Sequence, residues 1–193
     1  MNASPRHLTL AELDAGLRAL PPAPRDRGTL ALILRRNADG TRETPARIVL
    51  DRELGVPGDK WSRLPAPRNL EMQLAVMNRA VATLIAAGQP LITFGDNLYV
   101  DLDLSAASLP PGTRLRVGAA LALVTAFPHN GCSQFNARFG NDALRLVQRK
   151  ETRDQNYRGV YWRVIEAGEI AVGDAIEVIA RPATPHRAAG AQP

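Results

Sequence analysis

Residues 114–126, RLRVGAALALVTA, decide the fold class of this chain. They predict two short strands, Arg114–Val117 and Leu121–Ala126, because both segments contain aliphatic residues and Gly118 separates them. Further strand-like runs occur at Thr29–Leu34, Ala46–Leu50, Leu91–Phe94, Leu98–Leu104, Val160–Glu166, Ile170–Val172 and Ala175–Ile179. Short strands with turns roughly every 8–12 residues and few helices between them are typical of a barrel, not of a doubly wound sheet. We therefore predict a β-rich α+β fold, a β-barrel with a few flanking helices.

Three segments predict helices. An amphipathic helix follows Thr9, whose side chain can form a capping box with Glu12, and the run Pro21–Pro24 ends it. The segment Leu70–Ala87 is the clearest helix of the chain, because its apolar residues recur at helical spacing. A shorter helix is predicted for Asn141–Gln148.

The connecting segments divide the chain into three parts. Asn37–Gly40 predicts a turn between the first two strands. Asp51–Arg68 is a long polar loop, and loops of that length inside a compact domain are often functional. We assign residues 1–25 to a helical extension docked on the outside, 26–181 to the barrel domain and 182–193 to a disordered tail, since the tail is rich in Ala, Pro and Gly without periodicity.

The composition excludes several classes of partner. The 193 residues carry 24 Lys+Arg against 19 Asp+Glu, so the formal net charge is +5. No run of about 5–6 basic residues occurs and aromatic residues are few, so we expect no nucleic-acid partner. The longest uncharged apolar stretch, Ala80–Ile92, is shorter than the ~20 residues that a membrane helix needs, and we expect no membrane partner either.

The single cysteine limits the redox chemistry that the chain can carry out and indicates its compartment. One Cys forms neither an intramolecular disulfide nor a four-cysteine zinc site. Residues 1–6 precede no apolar run of the kind that marks an export signal. We therefore expect a reducing, cytoplasmic setting.

The same cysteine lies in the sharpest local feature of the sequence, the stretch 127–135, FPHNGCSQF. An isolated Cys is often a small buried hydrophobe, but the neighbours of Cys132 are loop formers. His129 and Arg138 are close enough in sequence to favour the thiolate form if they point inward. From the residues alone, a functional thiol and a buried structural one stay equally open.

Two Gly-Asp turns give weaker signals. Gly58–Lys60 can bind an anion, because Lys60 supplies the charge and glycine allows close approach of the backbone. A solvated turn is the simpler explanation of so short a motif. Gly95–Leu98 is by itself a strand-linking turn, and the spacing does not require a Cys-His-Asp nucleophile set that includes Asp96.

The order of these motifs resembles the MOSC family, the domain found at the C-terminus of molybdenum-cofactor sulfurases and in stand-alone bacterial proteins. The matching segments are Gly58–Lys60, Phe94–Leu98, Gly118–Phe127, Pro128–Phe135, Arg138–Gly140, Arg158–Val160 and Gly168–Asp174. The resemblance covers about residues 30–179, and the run Pro128–Gly140 is its most specific part.

The resemblance implies a MOSC-type β-barrel whose cysteine faces a pocket. In this family the thiol is proposed to carry sulfur as a persulfide or to ligate the molybdenum of a pterin cofactor, so Cys132 is both the catalytic candidate and the metal-ligand candidate. A soft thiolate suits both roles, and the phosphate of the pterin needs N–H groups and cations. The candidate cofactor-binding residues are Lys60, Arg138, Asn97, Arg68 and His129.

Three functions stay open. The first is a molybdenum-cofactor-dependent oxidoreductase that reduces N-hydroxylated small molecules with electrons from a separate donor protein, because the chain has no flavin or haem signature. The second is a metal-free persulfide carrier or sulfur transferase, supplied by a sulfur-donor protein. The third is a non-catalytic ligand-binding barrel in which Cys132 is structural.

The resemblance is limited to the MOSC domain of the larger sulfurases, and it departs from the family at one position. Nothing in the chain resembles the pyridoxal-phosphate domain of the larger sulfurases, so we expect no pyridoxal phosphate. Many family members continue the first motif with a basic residue and then histidine, whereas Trp61 follows Lys60 here. Trp61 either stacks on a flat ligand ring or packs in the protein, and the change leaves the substrate class open.

Overall fold

Seven of the eleven strands close into a barrel in the computed structural model, which describes residues 6–183. The strands are β1 (Arg27–Ile33), β2 (Arg35–Arg36), β3 (Arg42–Glu43), β4 (Arg47–Leu50), β5 (Leu74–Asn78), β6 (Leu98–Asp101), β7 (Arg114–Val117), β8 (Ala120–Val124), β9 (Val160–Glu166), β10 (Gly168–Ala171) and β11 (Ala175–Ala180). The barrel order is β1-β11-β7-β8-β9-β5-β6, and β6 pairs back to β1. Only β5 and β6 run parallel within it. The predicted β-barrel is thus confirmed.

Four α-helices and three short 3-10 helices accompany the barrel within the described range. The α-helices are α1 (Leu10–Ala19), α2 (Arg79–Ala86), α3 (Ser133–Phe139) and α4 (Asn141–Gln148), and the 3-10 helices are Leu70–Met72, Leu91–Thr93 and Lys150–Gln155. The predicted capping box of α1 is present, with Thr9 and Glu12 bonded in both directions. The predicted bounds of α4 are confirmed.

The barrel interior holds the main hydrophobic core. The stretch 114–126 forms the β7–β8 hairpin, with Arg114 opposite Leu123 and Val117 opposite Ala120. Along β8 every second residue is buried, as expected for a strand with one face inward. Aliphatic side chains fill the interior, together with the fully buried Trp162.

A second hydrophobic core lies between the helices and the outside of the barrel. Phe94 stacks on Phe139 with ring centroids 3.9 Å apart, and Leu13 of α1 is fully buried in the same cluster. The Nε2 atom of His7 lies 3.1 Å from the backbone oxygen of Arg138, and a Cβ added at Gly140 would lie 2.7 Å from the His7 ring. The N-terminal helix therefore contributes to a core that also supports α3.

The helix predicted for Leu70–Ala87 is wrong over its first half, which contains the strand β5. Four consecutive residues, Leu74–Met77, are buried, because this strand faces the barrel interior on one side and the second core on the other. A strand buried on both faces shows no alternation, and its apolar residues imitate helical spacing. The helix begins only at Arg79, where the side chain of Asn78 accepts a hydrogen bond from the backbone of Val81 at 3.0 Å.

Three further segments differ from the prediction. Leu91–Phe94 forms a 3-10 turn instead of a strand, and the turn Asn37–Gly40 closes the small β2–β3 hairpin instead of joining β1 to β4. β4 pairs with β10 outside the barrel. The cysteine loop leads directly into α3, a helix that the sequence did not predict.

The described residues contain no helix that is both long and apolar enough to cross a membrane. The part of the predicted tail from residue 184 onward lies outside the described residues, and the predicted domain boundaries stay a prediction.

Candidate functional site

A cavity of about 250 Å³ opens at one end of the barrel, where the turn before β6, the start of β9 and the cysteine loop meet. Cys132 lines it and is exposed, immediately before the first residue of α3. The thiol is therefore not packed as a core residue. Phe135, one turn further along α3, is buried and anchors the helix in the second core.

The turn before β6 places a buried carboxylate, Asp96, in this cavity. Gly95 has φ +89°, a conformation that L-residues with a side chain rarely adopt. Asn97 fixes the other side of the turn, because its side-chain oxygen accepts a hydrogen bond from the backbone of Ala75 at 3.1 Å and its side-chain nitrogen donates to Leu34. Asp96 is thus held at the wall of the barrel.

Arg158 is the main partner of Asp96. Its Nη1 donates to both carboxylate oxygens, at 2.9 and 3.0 Å, and the guanidinium lies 5.2 Å from the centre of the Phe135 ring. Gly159 allows this approach, because a Cβ there would lie 2.1 Å from the backbone oxygen of Val76. Asp96 and Arg158 form an ion pair in which the carboxylate is buried and the arginine side chain is 12% exposed.

His129 is the second neighbour of Asp96. Its Nε2 lies 3.4 Å from Oδ1 of Asp96, its side chain is 5% exposed, and its ring lies 4.3 Å from that of Tyr161. Burial, reinforced by the charge of Arg158, lowers the pKa of His129 to about 3. The ring is therefore neutral at pH 7 and supplies no positive charge to the thiol. Its Nδ1 is buried without a hydrogen-bond partner among the described residues.

A second buried carboxylate, Asp59, lies in the other Gly-Asp turn. It accepts hydrogen bonds from the backbone and Nε of Arg36 at 2.8 and 3.0 Å, from Nη2 of the same residue, and from the backbone of Trp61 at 2.9 Å. Burial by itself raises the pKa of Asp59, but the hydrogen bonds and charge of Arg36 outweigh it and leave the pKa lowered. This pair fixes the predicted polar loop to β2.

A neighbouring cavity, also about 250 Å³, shares its wall with the first and is rich in cations. Lys60, Arg42 and Arg138 line it, and among residues 6–183 none of the three forms an ion pair. Instead Arg42 and Arg138 donate to the backbone oxygens of Ile92 and Phe94. Burial, followed by the nearby charge of Arg138, lowers the pKa of Arg42. Crowded cations without carboxylate partners are suited to binding an anion.

The structure brings most of the predicted site residues together. Cys132, His129, Lys60, Arg138 and Asn97 all line the first cavity. Arg68 does not line it.

Arg68 instead lies behind the cavity wall. Its guanidinium is 5.7 Å from the centre of the Trp61 ring, and Trp61, 8% exposed, does line the cavity. Trp61 therefore packs between Arg68 and the pocket.

The sequence prediction missed three cationic side chains, Arg36, Arg42 and Arg158, as well as Tyr161. Arg36 and Arg42 occupy the short β2–β3 hairpin, which the sequence did not separate from its neighbouring strands. Arg158 lies in the Arg158–Val160 motif of the resemblance, but only the fold shows that it meets Asp96. The sequence offers Asp96 as a turn residue and as a member of a Cys-His-Asp set that the spacing does not require, but not as the partner of Arg158.

Comparison with protein families identifies the chain. The model of the MOSC domain matches residues 71–177, more than half of the sequence. The chain belongs to the MOSC domain family. The matched segment contains the Gly95–Leu98 turn, the cysteine loop and Arg158, whereas Lys60 precedes it.

Solved structures agree with the MOSC fold. The YuaD protein from Bacillus subtilis is similar with a TM-score of 0.62 and 17% identity, over 81% of this chain and 98% of that protein. YiiM from Escherichia coli gives a TM-score of 0.53 and 20% identity, over 78% of this chain and 70% of that one. YiiM from Geobacillus stearothermophilus gives a TM-score of 0.53 and 16% identity, over 80% of this chain and 76% of that one. Identities this low establish the fold only.

A search of curated protein sequences gave no match. Within residues 6–183, no group of three or more His, Cys, Asp and Glu side chains is arranged to hold a metal ion.

Proposed function

We propose that this MOSC protein binds a molybdenum–pterin cofactor, with Cys132 as the thiolate ligand of the metal. The observation that carries the proposal is the position of the chain's one thiol, exposed in a cavity whose wall is shared with an anion-binding set of cations. A thiolate is a soft ligand of the kind that molybdenum accepts. The cofactor itself would supply the other ligands of the metal.

The residues of both cavities fit such a cofactor. Lys60, Arg42 and Arg138 would hold its phosphate, since each presents a cation that has no carboxylate partner within residues 6–183. Trp61 provides a flat surface for the pterin ring in the first cavity. Arg68 supports Trp61 from behind. Asn97 would contribute indirectly, because it fixes the turn that places Asp96 in the cavity.

The cofactor would supply redox chemistry, and the protein positions the substrate. Reduction of an N-hydroxylated base replaces an N–O bond by N–H and releases water, so it consumes two electrons and two protons. A separate protein would deliver the electrons. A reducing compartment suits this function, because it keeps a single exposed thiol from oxidation.

Metal content tests the proposal. The protein and its Cys132→Ala variant are purified from a host that makes abundant molybdenum cofactor, and molybdenum per chain is measured. Ser133→Ala is the matched control, since Ser133 is also exposed and is the next residue in the chain. We expect near-stoichiometric metal in wild type and control and loss of the metal in Cys132→Ala. Cyanide-releasable sulfur on Cys132, with no metal in any variant, would instead support the persulfide carrier.

The anion-binding set is tested separately. Lys60→Met and Arg42→Met should each reduce retention of the cofactor after gel filtration. Arg145→Met is the control, because Arg145 is an arginine on the exposed face of α4, outside both cavities. Equal retention in all three variants contradicts the phosphate assignment.

A further inference from the structure

Three apolar side chains project into solvent on the loops beside the cysteine cavity. Leu64 is 46% exposed and itself lines the cavity, and Phe127, 39% exposed, packs on the ring of Tyr161, which also lines it. Leu70 is 39% exposed and begins the 3-10 helix that contains the lining residue Met72. Exposed apolar side chains that cluster around one opening mark an interaction surface, whereas single ones do not.

The loop of Leu64 also carries cations. Lys60, Arg63 and Arg68 flank Leu64, and within residues 6–183 none of the three forms an ion pair. Arg63 donates instead to the backbone oxygen of Arg36 at 3.1 Å, and Arg68 to that of Leu64 at 3.1 Å. Together with the three apolar side chains, these three cations form the rim of the cavity.

The carboxylates near the rim are buried or paired. Asp59 and Asp96 are each 1% exposed, and each forms an ion pair with an arginine. The half-exposed carboxylate of Glu71, next to Leu70, lies 3.8 Å from a guanidinium nitrogen of Arg163. The rim therefore presents positive charge around apolar side chains, and an anionic surface complements it.

We propose that the rim binds the surface of an anionic lipid bilayer, with Leu64, Leu70 and Phe127 inserted among the headgroups. Headgroups need no matching shape, unlike a folded partner, and this suits side chains that project from separate loops. Surface binding requires no membrane-spanning stretch, and the expectation of no membrane partner rests only on the lack of one. Because Leu64 and Lys60 line the cavity, a bilayer bound at the rim faces its opening.

Vesicle binding tests the proposal. The full chain, purified without molybdenum, is sedimented with vesicles of phosphatidylcholine alone and with vesicles that also contain phosphatidylglycerol. We expect the anionic vesicles to bind it more than about tenfold more tightly, since each cation near an anionic surface contributes about fivefold. High salt should reduce this preference, because it screens the cations. No binding to anionic vesicles, or equal binding to both kinds, overturns the proposal.

Matched apolar substitutions locate the contact. Leu64→Ser and Phe127→Ser should each weaken binding to anionic vesicles roughly threefold to tenfold, because an inserted apolar side chain is removed from the interface. Ile179→Ser is the control, since Ile179 is 49% exposed at the end of β11 and lines neither cavity. Equal losses in all three variants, or no loss in the two rim variants, contradict the assignment.

A matched pair of arginine substitutions tests the charge. Arg63→Gln should weaken binding to anionic vesicles about fivefold at low salt. Arg114→Gln should leave it unchanged, because Arg114 is an exposed residue of β7 outside the rim. An equal effect of both substitutions would mean that net charge alone attracts the protein, and the rim would lose its role.

Fluorescence gives a readout of insertion that a folding defect would not imitate. The two native tryptophans are largely shielded, since Trp61 is 8% exposed and Trp162 is fully buried. In Leu64→Trp the added indole lies in water, so its emission should shift to shorter wavelength when anionic vesicles bind. Ile179→Trp should show no such shift. An unchanged emission of Leu64→Trp on bound vesicles contradicts insertion.

Other occupants of the rim give different results. If vesicles bind no variant and Leu64→Ser instead lowers self-association in analytical ultracentrifugation, the rim is a contact between two copies and the proposal is overturned. The cofactor proposal is not affected by either result, because vesicle binding is measured without molybdenum and molybdenum content without vesicles.

Discussion

Two buried aspartates follow glycines in similar turns at the same pocket, yet their surroundings differ. Asp59 and Asp96 are each 1% exposed, and each is bound by an arginine. Asp59 accepts three hydrogen bonds from Arg36 and a fourth from the backbone of Trp61. Asp96 receives contacts from Nη1 of Arg158 and, at 3.4 Å, from His129, and in the part of the chain that the structure describes both partners keep a nitrogen without a hydrogen-bond partner.

The difference separates a saturated ion pair from an unsaturated one. Backbone N–H groups help to saturate Asp59, so its pair with Arg36 fixes a loop to β2, and Arg36 also lines the cavity. The partners of Asp96 are both side chains, and within residues 6–183 each keeps a buried nitrogen without a hydrogen-bond partner. The same dipeptide is thus saturated by the protein in one turn and not in the other.

The largest effect is expected for Asp59→Asn. Removing one partner of a buried ion pair costs about 3–5 kcal/mol of unfolding free energy, because the remaining charge stays buried. Urea denaturation at pH 7 measures it. Because the pKa of Asp59 is lowered by Arg36, this contribution is complete above the ordinary aspartate range and disappears as the pH falls through the folded pKa. Variant and wild type should therefore converge in acid, and a constant difference contradicts the assignment.

Asp96→Asn should cost less stability than Asp59→Asn. The amide oxygen of asparagine still accepts from Arg158, so the variant loses one charged hydrogen bond, worth about 1.5–3 kcal/mol, and no backbone contact. Urea denaturation at pH 7 measures the loss of unfolding free energy. A loss equal to that of Asp59→Asn would remove the contrast between the two turns.

The pH dependence of stability gives a further test of the difference between the two turns, because His129 contacts Asp96. The unfolded chain binds a proton at this residue near pH 6.5, whereas the folded chain does so only near the lowered pKa of about 3. Folded stability therefore falls as the pH drops between these values, by up to about 1.4 kcal/mol per pH unit. The slope should be absent from His129→Gln measured under the same conditions between pH 6 and pH 4. Parallel curves for the two proteins would show that His129 is not buried in its neutral form.

The smallest effect on stability is expected for Cys132→Ser. Substitution of an exposed side chain that packs against little usually changes the free energy of unfolding by less than about 0.5 kcal/mol. The native wild type should react with iodoacetamide at the rate of an accessible thiol. A thiol that reacts only after denaturation, combined with a destabilised variant, would support the structural role of Cys132.

The sequence predicted the fold well where strands have one face buried. The alternation of buried and half-buried residues along β8, together with the glycine before it, determines the β7–β8 hairpin locally. This part of the fold can therefore be predicted without the rest of the chain. The prediction for the segment of β5 was wrong because burial on both faces is a property of the assembled barrel and leaves no periodic signal in the sequence. The sequence did not predict the helix α3, because Phe135 and Phe139 acquire their shared apolar environment only from Phe94, about forty residues earlier.

The sequence predicted several residues that line the site, but not which of their side chains contact each other. Cys132 and Lys60 stand out locally, as a lone thiol in a loop and a cation after Gly-Asp. The ion pair of Asp96 with Arg158 joins positions 62 residues apart, and no spacing rule connects them. The neutral state of His129 was unexpected for the same reason, since burial and Arg158 set it only in the folded chain.

The contact of His7 with the pocket helix has a practical consequence for anyone who expresses this protein. The backbone oxygen of Arg138 accepts a hydrogen bond from Gln89 at 3.0 Å and meets His7 at 3.1 Å, so the end of α3 depends on a residue that precedes α1. A substitution, truncation or fusion that displaces His7 would therefore disturb α3 as well. Ligand-binding and metal-loading assays should keep this contact intact, because a perturbed His7 would register as a defect of the cysteine loop.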